Sequence, residues 1–292
     1  GGVLIAPGAL TDFCPLYNSD GAPENTISQF DKKDVENVGL VKFDFLGLTT
    51  LSILAKCKEY IDKLYPEREF ELERIPVTDE ETYRCFQNAN TAAVFQFESE
   101  GMRQLLRQAR PDRLEDLVAL NALYRPGPMD LIPSFIARKF GREKVEYLDE
   151  RMAPVLSETY GIMVYQEQVL EIVRTLAGYS LGKADSMRRV ISKKKADQMV
   201  IERKNFIYGS DDGDIPGCIK NGIDEQTAIS IFDEINDFAN YAFNKSHAAA
   251  YAFVTYQTAY LKTFYPVEYM ASLISSIDDL DKINHYIANC KE

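Results

Sequence analysis

The chain lacks tryptophan altogether and is poor in histidine and cysteine. Its 292 residues include only two histidines and five cysteines. The cysteines are odd in number, widely scattered and never arranged as C-x-x-C, which argues against a disulfide framework or a cysteine-rich zinc site and fits a reducing cytosol. Two histidines are too few for a histidine-rich metal site. Any metal would therefore be held by carboxylate oxygens, the ligands that magnesium, manganese and calcium take.

Long hydrophobic runs are also lacking. The longest covers about residues 248–254, far short of the ~20 residues that cross a bilayer, so no membrane span is predicted. The N-terminal residues include no basic region and no initiator methionine. We therefore expect no signal peptide and interpret the chain as an excised piece of a longer, cytoplasmic protein.

The charged residues are unevenly spread along the chain. A net charge of −12 by itself argues against a nucleic-acid surface, yet eight cations and three carboxylates fall between residues 183 and 204. The cations are Lys183, Arg188, Arg189, Lys193, Lys194, Lys195, Arg203 and Lys204. A concentrated basic segment on an acidic body predicts a specific site for a polyanion such as a triphosphate. The alternative is a solvated helix face.

An apolar run over residues 38–48 predicts a buried β-strand that carries one lysine and one aspartate. Successive strand side chains point to opposite faces, so Lys42 and Asp44 share one face. A carboxylate on so apolar a strand is costly unless a cation or a metal satisfies it. Asp44 is therefore the first candidate for chemistry. The alternative is that Lys42 and Asp44 form a surface charge pair on the wet face of an edge strand.

Beyond about residue 50 the spacing of apolar residues becomes helical. A helix capped by Thr49 and Thr50 is expected to end before Pro66. Further helices are predicted near residues 79–88, 100–109, 113–124, 130–140, 165–177, 182–192, 195–208, 224–238, 246–264, 267–275 and 278–290. The fold class is therefore α+β and predominantly α-helical, with a domain boundary near residue 50.

A second candidate anion site lies at the start of the predicted helix 246–264. Ser246 is a natural N-cap, and Lys245 and His247 lie where the helix dipole favours anions. Tyr251, one turn further on, could stack on a base or a sugar. The alternative is a histidine with a purely structural role.

Six blocks of the chain, taken in order, resemble the bacterial replicative DNA polymerase III alpha subunit, family C. They are residues 37–48 (with Lys42-Phe43-Asp44-Phe45-Leu46-Gly47), 93–99, 123–128, 160–168, 178–195 and 243–252. The resemblance covers essentially the whole chain. It implies that residues 1–50 are the end of a nucleotidyltransferase-like palm sheet and that residues 51–292 are a large helical fingers domain, which need not be complete at its C-terminus.

The resemblance also implies a reaction and a set of site residues. The reaction is template-directed nucleotidyl transfer from a dNTP to a primer 3′-hydroxyl, with two Mg²⁺ ions. Asp44 would be the third catalytic aspartate and a metal ligand, and Lys42 its neighbouring active-site lysine. The implied nucleotide-binding residues are Arg188, Arg189, Lys193, Lys194, Lys245 and His247.

The implied partners are primer-template DNA and, through regions outside this chain, the sliding clamp and other replicase subunits. The family's Asp-x-Asp pair should lie upstream of Gly1, so we expect the isolated chain to be inactive. One rival hypothesis is a non-catalytic helical interaction module whose basic segment docks an acidic partner. A magnesium-dependent phosphatase or nuclease is disfavoured, because it needs clustered carboxylates on strands and only Asp44 is so placed.

Overall fold

The computed structural model divides the chain into two compact units, one ending at Ser52 and one beginning at Ile53. It describes residues 2–18, 21–22, 25–45, 47–192, 196–238 and 241–291. The described residues are mostly helical with a few short strands. The predicted fold class is therefore confirmed.

The first unit contains two small antiparallel sheets. Its described elements are β1 (Gly2–Ile5), β2 (Leu16–Asn18), β3 (Thr26–Ser28), α1 (Asp34–Asn37) and β4 (Val41–Asp44). Strand β1 pairs with β4, and β2 pairs with β3. A small core of Cys14, Val35 and Leu40 lies beneath them.

The prediction that the strand around Asp44 is buried was wrong. Strand β4 has four residues, and the side chains of Val41 and Phe43 are 53% and 46% exposed. Val3 pairs with Phe43 and Ile5 with Val41, so the apolar side chains of both strands lie on one face of a two-stranded ribbon. Such a ribbon has few neighbours to bury against, which the hydrophobicity of the strand alone does not reveal.

From Thr49 onward the described residues form helices joined by turns. They are α2 (Thr49–Leu64), α3 (Glu80–Gln87), α4 (Glu100–Ala109), α5 (Leu114–Leu123), α6 (Ile132–Lys139), α7 (Ala153–Leu156), α8 (Gln166–Ala177), α9 (Leu181–Ser192), α10 (Ala196–Tyr208), α11 (Glu225–Phe238), α12 (Lys245–Phe264), α13 (Pro266–Ile274) and α14 (Leu280–Asn289). Every helix predicted from apolar spacing is confirmed to within about two residues. The two four-residue helices, α1 and α7, are too short to leave a periodic pattern. Within the described ranges, no helix is long and apolar enough to cross a membrane.

Helix α12 runs through the main core of the second unit. It packs against α3, α5 and α13, and Ala248, Ala252 and Ala259 are fully buried along it. Small side chains let the neighbouring helices approach closely. Further along the same helix, the buried Tyr256 hydroxyl donates to Pro76 O at 2.8 Å and accepts from Asp79 N at 3.0 Å. The hydroxyl therefore has hydrogen-bond partners inside the core, so this tyrosine can be buried without leaving a polar group unsatisfied.

Two further clusters complete the second unit. The first gathers apolar side chains of α8 to α11, including Ile172, Phe206 and Phe232. The second joins α2, α13 and α14 through side chains such as Ile61 and Tyr269. Between α8 and α9 the chain turns at Gly178, whose φ of 76° is the left-handed conformation that glycine adopts without strain.

A buried ionic cluster links α5 to α6. The Lys139 Nζ lies 2.5 Å from Asp116 Oδ2, and both side chains are almost completely buried. The Tyr160 hydroxyl donates to Asp116 Oδ1 at 2.9 Å. Burial alone would raise the pKa of Asp116, but the hydrogen bond and the charge of Lys139 outweigh it and hold the pKa below its ordinary value. Asp116 is thus a charged, fully partnered group in the core.

We expect Asp116→Ala to lower the free energy of unfolding by about 3–5 kcal/mol, because it removes the buried carboxylate that pairs with Lys139 and accepts from the Tyr160 hydroxyl. Urea denaturation measures this. The matched control is Asp112→Ala, which removes an exposed carboxylate 3.2 Å from the same ammonium and should cost about 1 kcal/mol or less. Equal, small losses in the two variants would contradict the structural role of Asp116.

The contribution of Asp116 should also depend on pH. Because the folded-state pKa is lowered, its stabilisation is present above the unfolded pKa of about 3.9 and is lost as pH falls through the folded pKa. The difference in unfolding free energy between the natural protein and Asp116→Asn should therefore be constant near neutrality and shrink in acid. A difference that grows on acidification would contradict this sign.

Candidate functional site

Strand β4 places Lys42 and Asp44 two residues apart, on the same face. The Lys42 Nζ lies 3.2 Å from Glu36 Oε1, so the charge pair considered between Lys42 and Asp44 forms instead with Glu36. The Asp44 side chain is exposed, and among the described residues no hydrogen bond or ion pair holds its carboxylate. Gly2 lies opposite, and a Cβ there would approach Asp44 Oδ1 to 3.0 Å.

Asp44 does not form a metal site with its described neighbours. Within the described ranges, no group of three or more histidine, cysteine, aspartate or glutamate side chains could hold a metal ion. Asp44 offers one carboxylate, whereas magnesium needs an octahedral set of oxygens. The residues present therefore do not by themselves fit a two-ion centre.

Helix α9 carries Arg188 and Arg189. Ala184, Met187 and Ile191 are buried against the α8–α11 cluster, so Arg188 lies beside this buried stripe and Arg189 lies on the opposite, solvent-facing side. The side chain of Arg188 is 21% exposed and that of Arg189 is 67% exposed. The helix thus presents two neighbouring guanidinium groups at different depths.

A single carboxylate, that of Asp185, contacts both guanidinium groups. Its Oδ1 accepts from Arg188 Nε at 3.0 Å and Nη2 at 2.7 Å, and its Oδ2 lies 2.8 Å from Arg189 Nε. The hydrogen bond from Arg188, assisted by both positive charges, holds the pKa of Asp185 below its ordinary value. Asp185 is therefore ionised at neutral pH.

The rest of the basic segment is also compensated from within the chain. The pairs are Lys183 with Asp212 and Asp214, Arg203 with Asp233, and Lys204 with Asp211. Each of the five described cations of this segment therefore has a carboxylate partner. The predicted site residues Lys193 and Lys194 lie outside the described residues.

The start of α12 differs from its predicted form. Asn244, not Ser246, is the N-cap, and its Oδ1 accepts from His247 N at 2.8 Å. The Glu167 side chain, from the first turn of α8, accepts from Lys245 N at 2.9 Å and from Asn244 Nδ2 at 2.7 Å. The backbone amides expected to attract an anion therefore already have acceptors within the chain.

The Lys245 and His247 side chains lie beside different partners. The Lys245 Nζ is 2.7 Å from Glu158 Oε1 and 5.6 Å from the centre of the Tyr165 ring. The His247 ring is centred 4.3 Å from the ring of Tyr251, the side chain predicted to stack on a base. Lys245 is thus charge-paired, whereas His247 belongs to an aromatic row.

That aromatic row continues in both directions. Tyr251 lies 5.6 Å from Phe95, His247 lies 5.5 Å from Phe243, and the Arg125 guanidinium lies 4.6 Å from the Phe243 ring. Of these, spacing along one helix identified only His247 and Tyr251. Phe95 and Arg125 lie far away in sequence, and both fall in blocks that carried the family resemblance.

Helices α8 and α12 begin side by side. Gln166 N donates to Phe243 O at 2.9 Å and Phe243 N to Val164 O at 3.2 Å, forming a parallel bridge between Tyr165 and Phe243. The buried Gln168 side chain accepts from the amides of Val164 and Tyr165, so it supports the chain segment that enters α8.

The two predicted cation pairs are not in direct contact. Helix α8 packs against α9 and begins beside α12, so it lies between the elements that carry them. No hydrogen bond or ion pair within the described ranges joins Arg188 or Arg189 to Lys245 or His247.

Comparisons with known proteins match two consecutive stretches of the chain to two named domains. The sequence profile of the bacterial DNA polymerase III alpha subunit finger domain matches residues 50–213. The profile of the bacterial DNA polymerase III alpha NTPase domain matches residues 1–47. The break between the profiles lies close to the division between the two compact units.

Individual relatives match nearly the whole chain. DNA polymerase III subunit alpha of Xylella fastidiosa (strain Temecula1) is 51% identical over 97% of this chain and 24% of its own length. The corresponding proteins of Neisseria meningitidis serogroup B and Escherichia coli K12 are 46% and 45% identical, over 100% and 99% of this chain and 25% of their own lengths. The chain therefore spans about a quarter of the length of these relatives.

We expect Glu167→Ala to lower the free energy of unfolding by about 1–2 kcal/mol, because it removes the acceptor of Lys245 N and of the capping amide. The matched control is Glu171→Ala, one turn later on α8, where the carboxylate pairs with the exposed Arg174 and its loss should cost about 0.5 kcal/mol or less. Urea denaturation measures both. Indistinguishable losses would show that Glu167 does not stabilise the start of α12.

Proposed function

This chain belongs to the family of the bacterial DNA polymerase III alpha subunit, and we propose that it is the palm-to-fingers segment of such a polymerase. Residues 1–50 would form the end of the palm and residues 51–292 the fingers. The proposal rests above all on the two adjoining domain profiles, which fall in this order on one chain. Because the chain spans about a quarter of its relatives, activity would belong to a longer polymerase that includes it.

The proposed reaction is template-directed transfer of a nucleotide from a dNTP to a primer 3′-hydroxyl. When bound, two Mg²⁺ ions would supply charge stabilisation at the attacking and leaving oxygens. Asp44 is the one described carboxylate proposed as a ligand, and its exposure, with no partner among the described residues, supports that role. Lys42, held on the same face by Glu36, would temper the negative charge around it.

Helix α9 is the proposed binding site for the triphosphate. Arg188 and Arg189 both contact the Asp185 carboxylate on this helix, and guanidinium groups form strong charge-assisted hydrogen bonds to phosphate oxygens. Together with Lys193 and Lys194, they would neutralise the triphosphate and the pyrophosphate that leaves.

The start of α12 is proposed to line the nucleotide pocket. Lys245 would contact the phosphates, and His247 lies within a row of rings that can stack on bases or sugars. Specificity for the nucleotide would come from pairing with the template base. Primer-template DNA would be the second substrate, and the sliding clamp and other replicase subunits would bind regions outside residues 1–292 in the cytoplasm.

We expect the chain to bind Mg²⁺–dATP weakly, with a dissociation constant on the order of 1 mM, and the double variant Arg188→Ala/Arg189→Ala to lose this binding at least 10-fold. Isothermal titration calorimetry measures it. The matched control is Arg203→Ala/Lys204→Ala, which removes two cations from the same basic segment. If both double variants bind like the natural protein, α9 does not hold the triphosphate. If the chain does not bind dATP but does bind an acidic protein, the rival hypothesis of a non-catalytic interaction module would be favoured.

In the longer polymerase, Asp44→Asn should lower kcat for primer extension by roughly 10²-fold or more, a loss typical of removing a group that stabilises transition-state charge. Asp34→Asn is the control, because it changes another exposed carboxylate of the same unit. Residues 1–292 alone should not extend a primer, since one aspartate cannot hold two ions. Extension by this chain that Asp44→Ala abolishes would contradict the proposal.

A further inference from the structure

The Asp185 carboxylate contacts both arginines of α9, whereas a counter-ion needs to contact only one. It lies three residues before Arg188 and four before Arg189, and it uses one carboxylate oxygen for each. The Arg188 contact is a charge-assisted hydrogen bond of 2.7 Å, and the Arg189 contact is an ion pair of 2.8 Å. One short side chain therefore contacts two long ones.

The contacts occupy a particular edge of each guanidinium group. Asp185 takes Nε and Nη2 of Arg188 and Nε of Arg189. A guanidinium has five N–H donors in a rigid fork, so most donors of both groups are left over. Within the described ranges, no hydrogen bond occupies Nη1 of Arg188 or either terminal nitrogen of Arg189. The remaining N–H donors thus belong to two guanidinium groups that both contact the Asp185 carboxylate.

We propose that Asp185 is a positioning residue for polyanion binding by α9. It would hold the two guanidinium groups at a fixed separation, so that an incoming triphosphate need not immobilise two flexible side chains. Ordering a long side chain at a binding site is costly, and anchoring it beforehand reduces that cost. This inference rests on the proposed function, in which Arg188 and Arg189 contact the triphosphate.

The negative charge of Asp185 should weaken triphosphate binding, whereas a positioning role should strengthen it. The two roles therefore predict opposite changes in affinity when Asp185 is removed. A carboxylate beside two guanidinium groups cancels one of two positive charges and weakens attraction for an anion. Removing a mere counter-ion should therefore strengthen triphosphate binding. Removing a positioning residue should weaken it, although one negative charge has gone.

The experiment measures Mg²⁺–dATP binding by titration calorimetry for the 292-residue chain and four variants. Asp185→Ala removes the anchor, and Asp185→Glu restores the charge with a longer arm. Asp233→Ala is the matched control, because it removes an exposed carboxylate that pairs with Arg203 of the same basic segment. Arg188→Ala/Arg189→Ala tests the underlying site. Circular dichroism checks that every variant retains its helices.

A positioning role predicts that Asp185→Ala raises the dissociation constant by about 5-fold. Asp185→Glu should stay within about 2-fold of the natural protein, and Asp233→Ala should leave binding unchanged or slightly stronger. The Nε–H resonances of the two arginines should be sharp and protected in the natural protein and lost in Asp185→Ala. This spectrum reports anchoring even where a variant binds weakly.

Two other outcomes overturn different statements. If Asp185→Ala binds as tightly as the natural protein or more tightly, while the double arginine variant does not bind, the positioning role is wrong and the triphosphate site stands. If the double arginine variant binds normally, or the natural protein binds nothing at about 10 mM dATP, the triphosphate site itself is wrong and the inference fails with it.

Discussion

The junction where α8 and α12 begin is the constraint on which the second unit depends. Glu167, in the first turn of α8, accepts hydrogen bonds from the N-cap side chain and the first amide of α12. The parallel bridge between Tyr165 and Phe243 fixes the same two chain segments. From this point α12 runs into the main core, and α8 leads to α9. One junction therefore sets the direction of α12, which carries Lys245 and His247, and of α8, after which the chain continues into α9.

The ion pairs of this chain differ in what they can do. Lys139 and Asp116 are fully buried, so separating them would leave a charge without solvent, at a cost of several kcal/mol. The pairs of Arg189 and Lys245 are partly exposed, and pairs of that kind contribute about 0–1 kcal/mol. A phosphate can replace or share such a partner at little cost. An acidic chain can thus keep its cations ordered without preventing them from binding a polyanion.

Sequence reasoning placed the helices well because their apolar residues recur at helical spacing, as Ala184, Met187 and Ile191 do. It was wrong where the outcome depends on distant parts of the chain. Ser246 is a good cap in isolation, but Asn244 is the cap because Glu167, 77 residues away, holds its side chain. The pairing of Lys42 with Glu36 was missed for a local reason, because the turn between α1 and β4 brings the two side chains together. The partners Asp185 and Glu158 lie near their cations only once the helices have formed and packed.

The exposure of β4 was not predicted, because it too depends on which other parts of the protein cover the strand. A hydrophobic strand indicates that its side chains can be buried, but it does not say what covers them, and in the described part of the first unit one face of the ribbon stays open. Asp44 is exposed at the end of that strand. A carboxylate that is exposed and has no partner among the described residues gains little from its own fold. In the proposed polymerase its contribution would therefore depend on further carboxylates brought alongside it, whereas the arginines of α9 already have a carboxylate partner, Asp185, within this chain.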